Sequence, residues 1–191
     1  AGDIYMYDSE RDSFMVALKA LGYSMNTTNK DEIDQAYDWL IEQRDTMAPV
    51  YAGDDVIDNM ISGNKSMAVV YSGDAAYIMS ENEELEYYQP KEGTNIWQDA
   101  MVIPADSTQV ELAHAYINFM LDPDNAYANT AEVGYTSPVI EARTKAAEED
   151  YPGISAYVPD TSASTNEVFA YQEQETKEYF AELWTKVKAE N

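Results

Sequence analysis

Within Gly93–Pro104, reading GTNIWQDAMVIP, the indole of Trp97 stands two residues from the carboxylate of Asp99. In an extended strand alternate side chains share a face, which would aim Trp97 and Asp99 the same way. An aromatic face beside a carboxylate attracts an ammonium, because the ring quadrupole and the negative charge act together and the indole also covers methylenes. Two tyrosines join this set. Tyr71 closes an apolar run just before Ser72-Gly73-Asp74, and Tyr135 follows Gly134 in the run GYTSP. Ligands of open α/β sheets sit outside the carboxyl ends of the strands, which is where a strand-ending Tyr71 falls. Taken singly, such residues more often serve as a core Trp, a solvated Asp and half-buried tyrosines.

Other chemistries find little support. The one histidine, His114, lies inside a strongly patterned helix with no Ser or Cys motif near it to activate, and reads as structural or surface. Asp122-Pro-Asp124-Asn125 begins like a calcium loop but lacks the required Gly and Glu, and is better explained as a helix N-cap. No phosphate-cradling glycine motif is present. The acidic runs Glu81–Glu86 and Glu148–Asp150 read as solvated faces. Neither a metal site nor a cofactor is expected, and the chain is not read as an enzyme.

The composition sharpens the contrast. The 191 residues include 36 acidic side chains against 11 Lys plus Arg, a formal charge of -25, with 16 Tyr and 3 Trp. Such a surface disfavours nucleic acid and anionic membranes and steers cations inward. With 45% hydrophobic residues it is nonetheless a globular composition, large enough for one large domain or two small ones. The absence of Cys excludes disulfides and thiolate ligation. No apolar run approaches the ~20 residues of a membrane-spanning helix. The opening AGDIYMYDSERDSF has strand character with no leader before it, so a fragment or processed product is expected.

These residues need elements to carry them. Ile4–Tyr7 reads as a strand, followed by a helix with Asp8 as N-cap, the stripe Phe14, Ala17, Leu18, Leu21, and Gly22 as terminator. A second helix carries Ile33, Ala36, Tyr37, Leu40 and Ile41, ends before Pro49, and leaves Trp39 off its stripe. Asp54–Ile61 is a short helix closed by Gly63, Ser66–Tyr71 a buried strand, and a helix starts from Asp74. Glu84–Gln89 and Ile96–Ile103 read as strands, the latter bearing Trp97 and Asp99. Thr108 opens a helix through Leu121, Pro123 starts another ending near Gly134, and helices over Glu141–Glu149 and Glu173–Lys188 flank a loop at Tyr151–Asn166. Strands alternating with helices predict an α/β fold with a mixed, mostly parallel sheet.

The blocks KALGYSMNTTNKDEIDQAYDWL, VVYSGDA, PKEGTNIWQDAMVIPA, AYINFMLDPDNA and AEVGYTSP, in this order, resemble the periplasmic spermidine/putrescine-binding proteins of ABC importers. The resemblance covers roughly the C-terminal half of such a protein. It implies a lobe of the type II periplasmic-binding-protein fold, part of an incomplete two-lobe clamp. Residues 1–94 and 137–191 would build the second lobe, and 95–136 would be a crossing segment belonging to the first lobe, whose N-terminal part is missing.

By the same resemblance, Trp97 and Asp99 are the aromatic and carboxylate that hold an amine, and Tyr135 matches the tyrosine of GY-x-x-P. Tyr71 stands where Trp is usual. On the first helix Asp12 matches the second of two acids spaced three apart, while Ser9 holds the place of the first and Asp8 is one residue off. Gln172 aligns with a polar contact near the C-terminus. Gly53 occupies a serine's place, with Asp54 adjacent. The implied ligand is a polyamine, spermidine or putrescine, and the implied partners are ABC permease subunits and the missing lobe. An extracytoplasmic location follows, in the periplasm or anchored to the outer face of the cell membrane. Surface uncovered by a missing lobe would favour a dimer of the fragment. The rivals are a clamp for another small solute and an acidic interaction or sensor domain without a transport ligand.

Overall fold

A computed structural model describes residues 1–189. These residues divide into two compact units, residues 1–70, 88–97 and 160–189 forming the first and residues 71–87 and 98–159 the second.

The first unit is an α/β arrangement around a three-stranded sheet. Strands β1 (Ile4–Tyr7), β2 (Val50–Ala52) and β3 (Met67–Ala68) lie in the order β2-β1-β3, and both pairings are parallel, with Tyr5 opposite Val50 and Ala68. Helices α1 (Glu10–Ala20), α2 (Lys30–Met47) and α3 (Val56–Ile61) follow β1 and β2. The last helix of the first unit, Gln174–Ala189, packs on α1 and α2. Most of the predicted stripes of α1 and α2 makes this core: Phe14, Ala17, Leu18, Ile33, Ala36 and Leu40 are buried with Phe180, Leu183, Trp184 and Val187 of that last helix. Tyr37 and Ile41 pack against them half-buried, and Leu21, at the C-cap of α1, is exposed. Trp39, off the stripe, is half-buried and packs on the same cluster.

The second unit is helical. It contains α4 (Ser72–Glu81), α5 (Val110–Leu121), α6 (Pro123–Val133) and α7 (Ile140–Glu149), which makes the Gln174–Ala189 helix α8. Asp122 caps α6, accepting from the backbone of Asp124 and Asn125, and Gly134 ends it in the left-handed region at φ 72. The interior of this unit is built mainly from small and phenolic side chains, with Ile78 of α4 among them. Ala75, Ala76, Ala126, Ala142 and Ala146 are buried with Tyr151 and Tyr157, whose rings stack at 4.8 Å. Thr130, also buried, bonds the Tyr157 hydroxyl at 2.8 Å. Helix α5 buries none of its residues.

Several sequence expectations need correction. Ser9, not Asp8, caps α1: its backbone is extended and its hydroxyl accepts from the Asp12 N–H. Asp8 is held otherwise, since its N–H donates to the Ala52 carbonyl and continues the β1–β2 ladder. Gln109 rather than Thr108 stands at the N-cap of α5. The apolar run Ser66–Tyr71 yields only the two-residue β3, with Met67 exposed. Neither Glu84–Gln89 nor Ile96–Ile103 is a strand. Just ahead of the latter the backbone makes one isolated parallel bridge, Asn95 to Glu167, and from there runs irregularly. A strand exists only where a neighbour completes its hydrogen-bond ladder.

Candidate ligand-binding site

In the first unit the parallel pairing brings the carboxyl ends of β1 and β2 to one edge of the sheet. Tyr7 ends β1 there and Asp8 leaves the edge after it, and Gly53 and Asp54 leave it after β2. The Tyr7 hydroxyl reaches Asp54 at 3.5 Å. Asp8 receives the Lys188 ammonium at 2.7 Å. Asp12, one turn into α1, is buried; its carboxylate accepts from the Ser9 hydroxyl at 2.7 Å and lies 3.5 Å from the Arg11 guanidinium. The Ser13 hydroxyl donates to the Tyr7 carbonyl at 2.8 Å and ties the start of α1 to the end of β1. The structure therefore gathers Asp8 and Asp54 at the sheet edge, with Asp12 on the helix that follows.

Gln172 lies with Glu10, Arg11, Phe14, Phe169 and Phe180 around a small cavity on the flank of α1. Arg11 spreads over the Phe169 ring at 4.6 Å. Burial pushes the Glu10 carboxyl above the ordinary carboxylate range.

Trp97 ends the 88–97 segment of the first unit and is half-buried. Asp99 is exposed, belongs to the second unit, and lies in irregular backbone, so the shared strand face expected for this pair has no ladder behind it. What anchors the approach to Trp97 is a short two-way clasp. Ile96 donates to the Glu167 carbonyl at 2.7 Å, Glu167 donates to Thr94 at 3.0 Å, and the Thr94 N–H meets the Asn166 side chain at 3.1 Å. Gly93 is required there: at φ 100 its missing Cβ would stand 2.1 Å from the Thr165 carbonyl oxygen.

The Glu167 carboxylate fastens this clasp to α1. It pairs with the buried Lys19 ammonium at 2.8 Å and accepts from the Met25 N–H at 2.8 Å. Burial alone would raise the Glu167 carboxyl, but hydrogen bonds from Lys19, Ser24 and Met25 outweigh it and hold the group below its ordinary value. Neither Lys19 nor Glu167 was singled out by sequence reasoning. They lie 148 residues apart by number (167 less 19), and only the fold joins them.

In the second unit, Tyr71 and Tyr135 meet the same end of α4. Tyr71 stands at its N-cap. Two residues on, a Cβ on Gly73 would lie 2.2 Å from the Tyr135 ring, so the bare glycine lets that ring lie against the helix start. The Tyr135 hydroxyl donates to Asp74 at 3.0 Å, and its carbonyl accepts from the buried Thr130 hydroxyl. Gly134 passes close as well, its own missing Cβ 2.4 Å from the Gly73 carbonyl oxygen. Tyr135 is a positioned aromatic, and Asp74 is the partner that sequence reasoning missed. Among the described residues no cluster of His, Cys, Asp and Glu suits a metal ion, and no helix is long and apolar enough to cross a membrane.

The family model described as bacterial extracellular solute-binding protein matches residues 1–156. The chain belongs to that family. Among curated solute-binding relatives, it is 31% identical over 186 residues to the spermidine/putrescine-binding periplasmic protein of Salmonella typhimurium, covering 97% of this chain and 53% of the relative. It is 27% identical over 190 residues to a putrescine-binding periplasmic protein of Pseudomonas aeruginosa, covering 95% and 51%. The fold matches a chain of Listeria monocytogenes described with a spermidine/putrescine ABC transporter, with a TM-score of 0.85 and 34% identity over 99% of this chain and 58% of that one. It also matches the spermidine/putrescine ABC transporter substrate-binding protein of Streptococcus pneumoniae, with a TM-score of 0.80 and 30% identity over 98% and 58%. The α/β, periplasmic-binding-protein-like class expected from the sequence is therefore the class this chain adopts. The chain spans about half the length of the curated relatives it matches.

Proposed function

We propose that this chain is the ligand-capturing C-terminal portion of an extracytoplasmic solute-binding protein that takes a polyamine, spermidine or putrescine, and delivers it to the permease of an ABC importer. The observation that carries this reading is the similarity along 97% of the chain to a spermidine/putrescine-binding protein. The acids at the sheet edge and the aromatics at the two loop mouths support it, because a linear polycation needs carboxylates for its ammonium groups and ring faces for its methylenes. Trp97 and Asp99 hold one amine, Tyr71 and Tyr135 flank the chain of methylenes, and Asp8, Asp12, Asp54 and Gln172 serve the remaining polar groups.

The other half of the relatives' length supplies the first lobe, and residues 95–136 are the segment that joins it. The exposed apolar side chains of Leu112, Tyr116 and Phe119 on α5 favour this. The protein acts as a carrier and not as an enzyme.

Isothermal titration with spermidine and putrescine tests the reading. Heat and saturation with either amine are expected, and no binding of either overturns it. Asp99→Ala is expected to cost about 1.5 to 3 kcal/mol of affinity for either amine, the range for a hydrogen bond to a charged group. Trp97→Ala is expected to cost more for the longer amine, since each buried methylene contributes about 0.8 kcal/mol.

A further inference from the structure

The Lys188 side chain is chemically a primary alkylammonium, the same group that ends a polyamine. It comes from the last turn of α8 and lies with its ammonium 2.7 Å from the Asp8 carboxylate and 5.5 Å from the centre of the Trp184 ring. An indole and a carboxylate hold this internal amine, the pairing of groups that the proposed ligand site uses. The indole is fixed: Trp184 is buried and meets Tyr51 of β2 edge to face at 5.0 Å. Asp8 is fixed too, through its backbone bond to Ala52 at the carboxyl edge of the sheet.

The other acids of the first unit are met differently. Asp12 lies beside the Arg11 guanidinium, whereas Asp54 is met by the neutral Tyr7 hydroxyl. Two of the three acids proposed for the ligand in this unit thus carry a cation of the chain's own. Every carboxylate neutralised from within is one fewer for a ligand ammonium, and a triamine needs one more than a diamine.

We propose that Lys188 is a specificity-determining residue: as a tethered ammonium on Asp8 it takes that carboxylate out of the ligand's count and tilts the site toward diamines over triamines. This inference rests on the polyamine reading above. It selects within that ligand class by charge number, where a length-measuring pocket would select by reach.

The test is titration of the protein, Lys188→Met and the double variant Lys188→Met with Asp8→Asn, using putrescine and spermidine. Methionine keeps an apolar stem over Trp184 and removes the charge. Lys188→Met is expected to raise the spermidine-to-putrescine affinity ratio about 2- to 5-fold, the size of a partly exposed ion pair. The double variant is expected to lose that gain, because the released carboxylate is gone. Lys188→Gln, neutral and hydrogen-bonding, repeats the measurement should the methionine variant fold poorly. An unchanged ratio in a neutral variant, or a gain that survives Asp8→Asn, overturns the inference while leaving polyamine binding intact. Failure of the unmodified protein to bind either amine overturns both.

Discussion

The two units bury their interiors by different means. In the first, large apolar side chains from three helices interlock, and Phe14 meets Phe180 edge to face at 4.9 Å. In the second, alanines on α4, α6 and α7 let the helices approach closely, and Ile78, Thr130, Tyr151 and Tyr157 fill much of what remains. Phe180 is 5% exposed, while Phe119 on α5 is 58% exposed. The same residue type is structural in one unit and surface in the other. The first unit can stand on hydrophobic burial; the second depends on close backbone approach and on hydroxyls that must find acceptors.

That contrast can be broken most directly at the first core. Phe180→Ala is expected to destabilise the first unit by about 3 to 5 kcal/mol, read from denaturant unfolding followed by tryptophan fluorescence, since all three Trp residues belong to that unit. A loss below ~1 kcal/mol would mean that the alanine-and-tyrosine unit carries the stability instead.

Next is the close approach at α4. Gly73→Ala drives a methyl into the Tyr135 ring and is expected to cost about 1 to 3 kcal/mol, with the loss confined to the second unit. Hydrogen exchange resolves the units separately; protection lost evenly across both would refute the division of labour.

Each unit also carries pH-sensitive groups: the first holds both a lowered carboxyl, Glu167, and a raised phenol, Tyr179, whereas Tyr151 is raised in the second. Glu167, in the first, is held below its ordinary 4.5, so its contribution to stability is present above pH 4.5 and is lost as pH falls through the lower folded value. Tyr151, in the second, is raised from 10.0 to about 12, by burial first and then by the neighbouring Asp150 charge. Its contribution is present below pH 10 and is lost as pH rises through about 12. Glu167→Gln is expected to weaken the acid limb and leave the alkaline one, measured as melting temperature against pH. In the same measurement Tyr151→Phe is expected to lessen the alkaline limb, which Tyr127 and Tyr179 share, and leave the acid one. The smallest effect belongs to Phe119→Ala, expected within about 0.5 kcal/mol of the unmodified chain in the same unfolding measurement.

Helices α1 and α2 were legible because each writes its own stripe, and Phe14, Ala17 and Leu18 on α1 and Ile33, Ala36 and Leu40 on α2 are among the residues that the structure buries. Helix α5, by contrast, was legible from its apolar pattern although it buries none. Capping was legible where one candidate stood alone, as with Asp122, and ambiguous where Asp8 and Ser9 adjoined. There a ladder bond to Ala52 and an ion pair from Lys188 claim the aspartate, and the serine caps. Strands were the weak point, because Ile96–Ile103 carries strand-forming residues but lacks the neighbour that would pair with them.

Of the site, the residue types around Trp97 and Tyr135 were visible in the chain. The Lys188–Asp8 pair, 180 residues apart, was not. Nor were Glu167 and Asp74, acids among 36 with nothing in their local spacing to distinguish them.

The closing of the first core by α8 has a consequence for how the molecule comes into being. Four of the ten buried residues of that core, Phe180, Leu183, Trp184 and Val187, are made at least 140 residues (180 less 40) after Leu40, the last of the other six. A chain emerging at roughly 5 to 20 residues per second would hold α1 and α2 with their stripes uncovered until then. A protease that cuts ahead of α8 would leave the stripes of α1 and α2 uncovered for good.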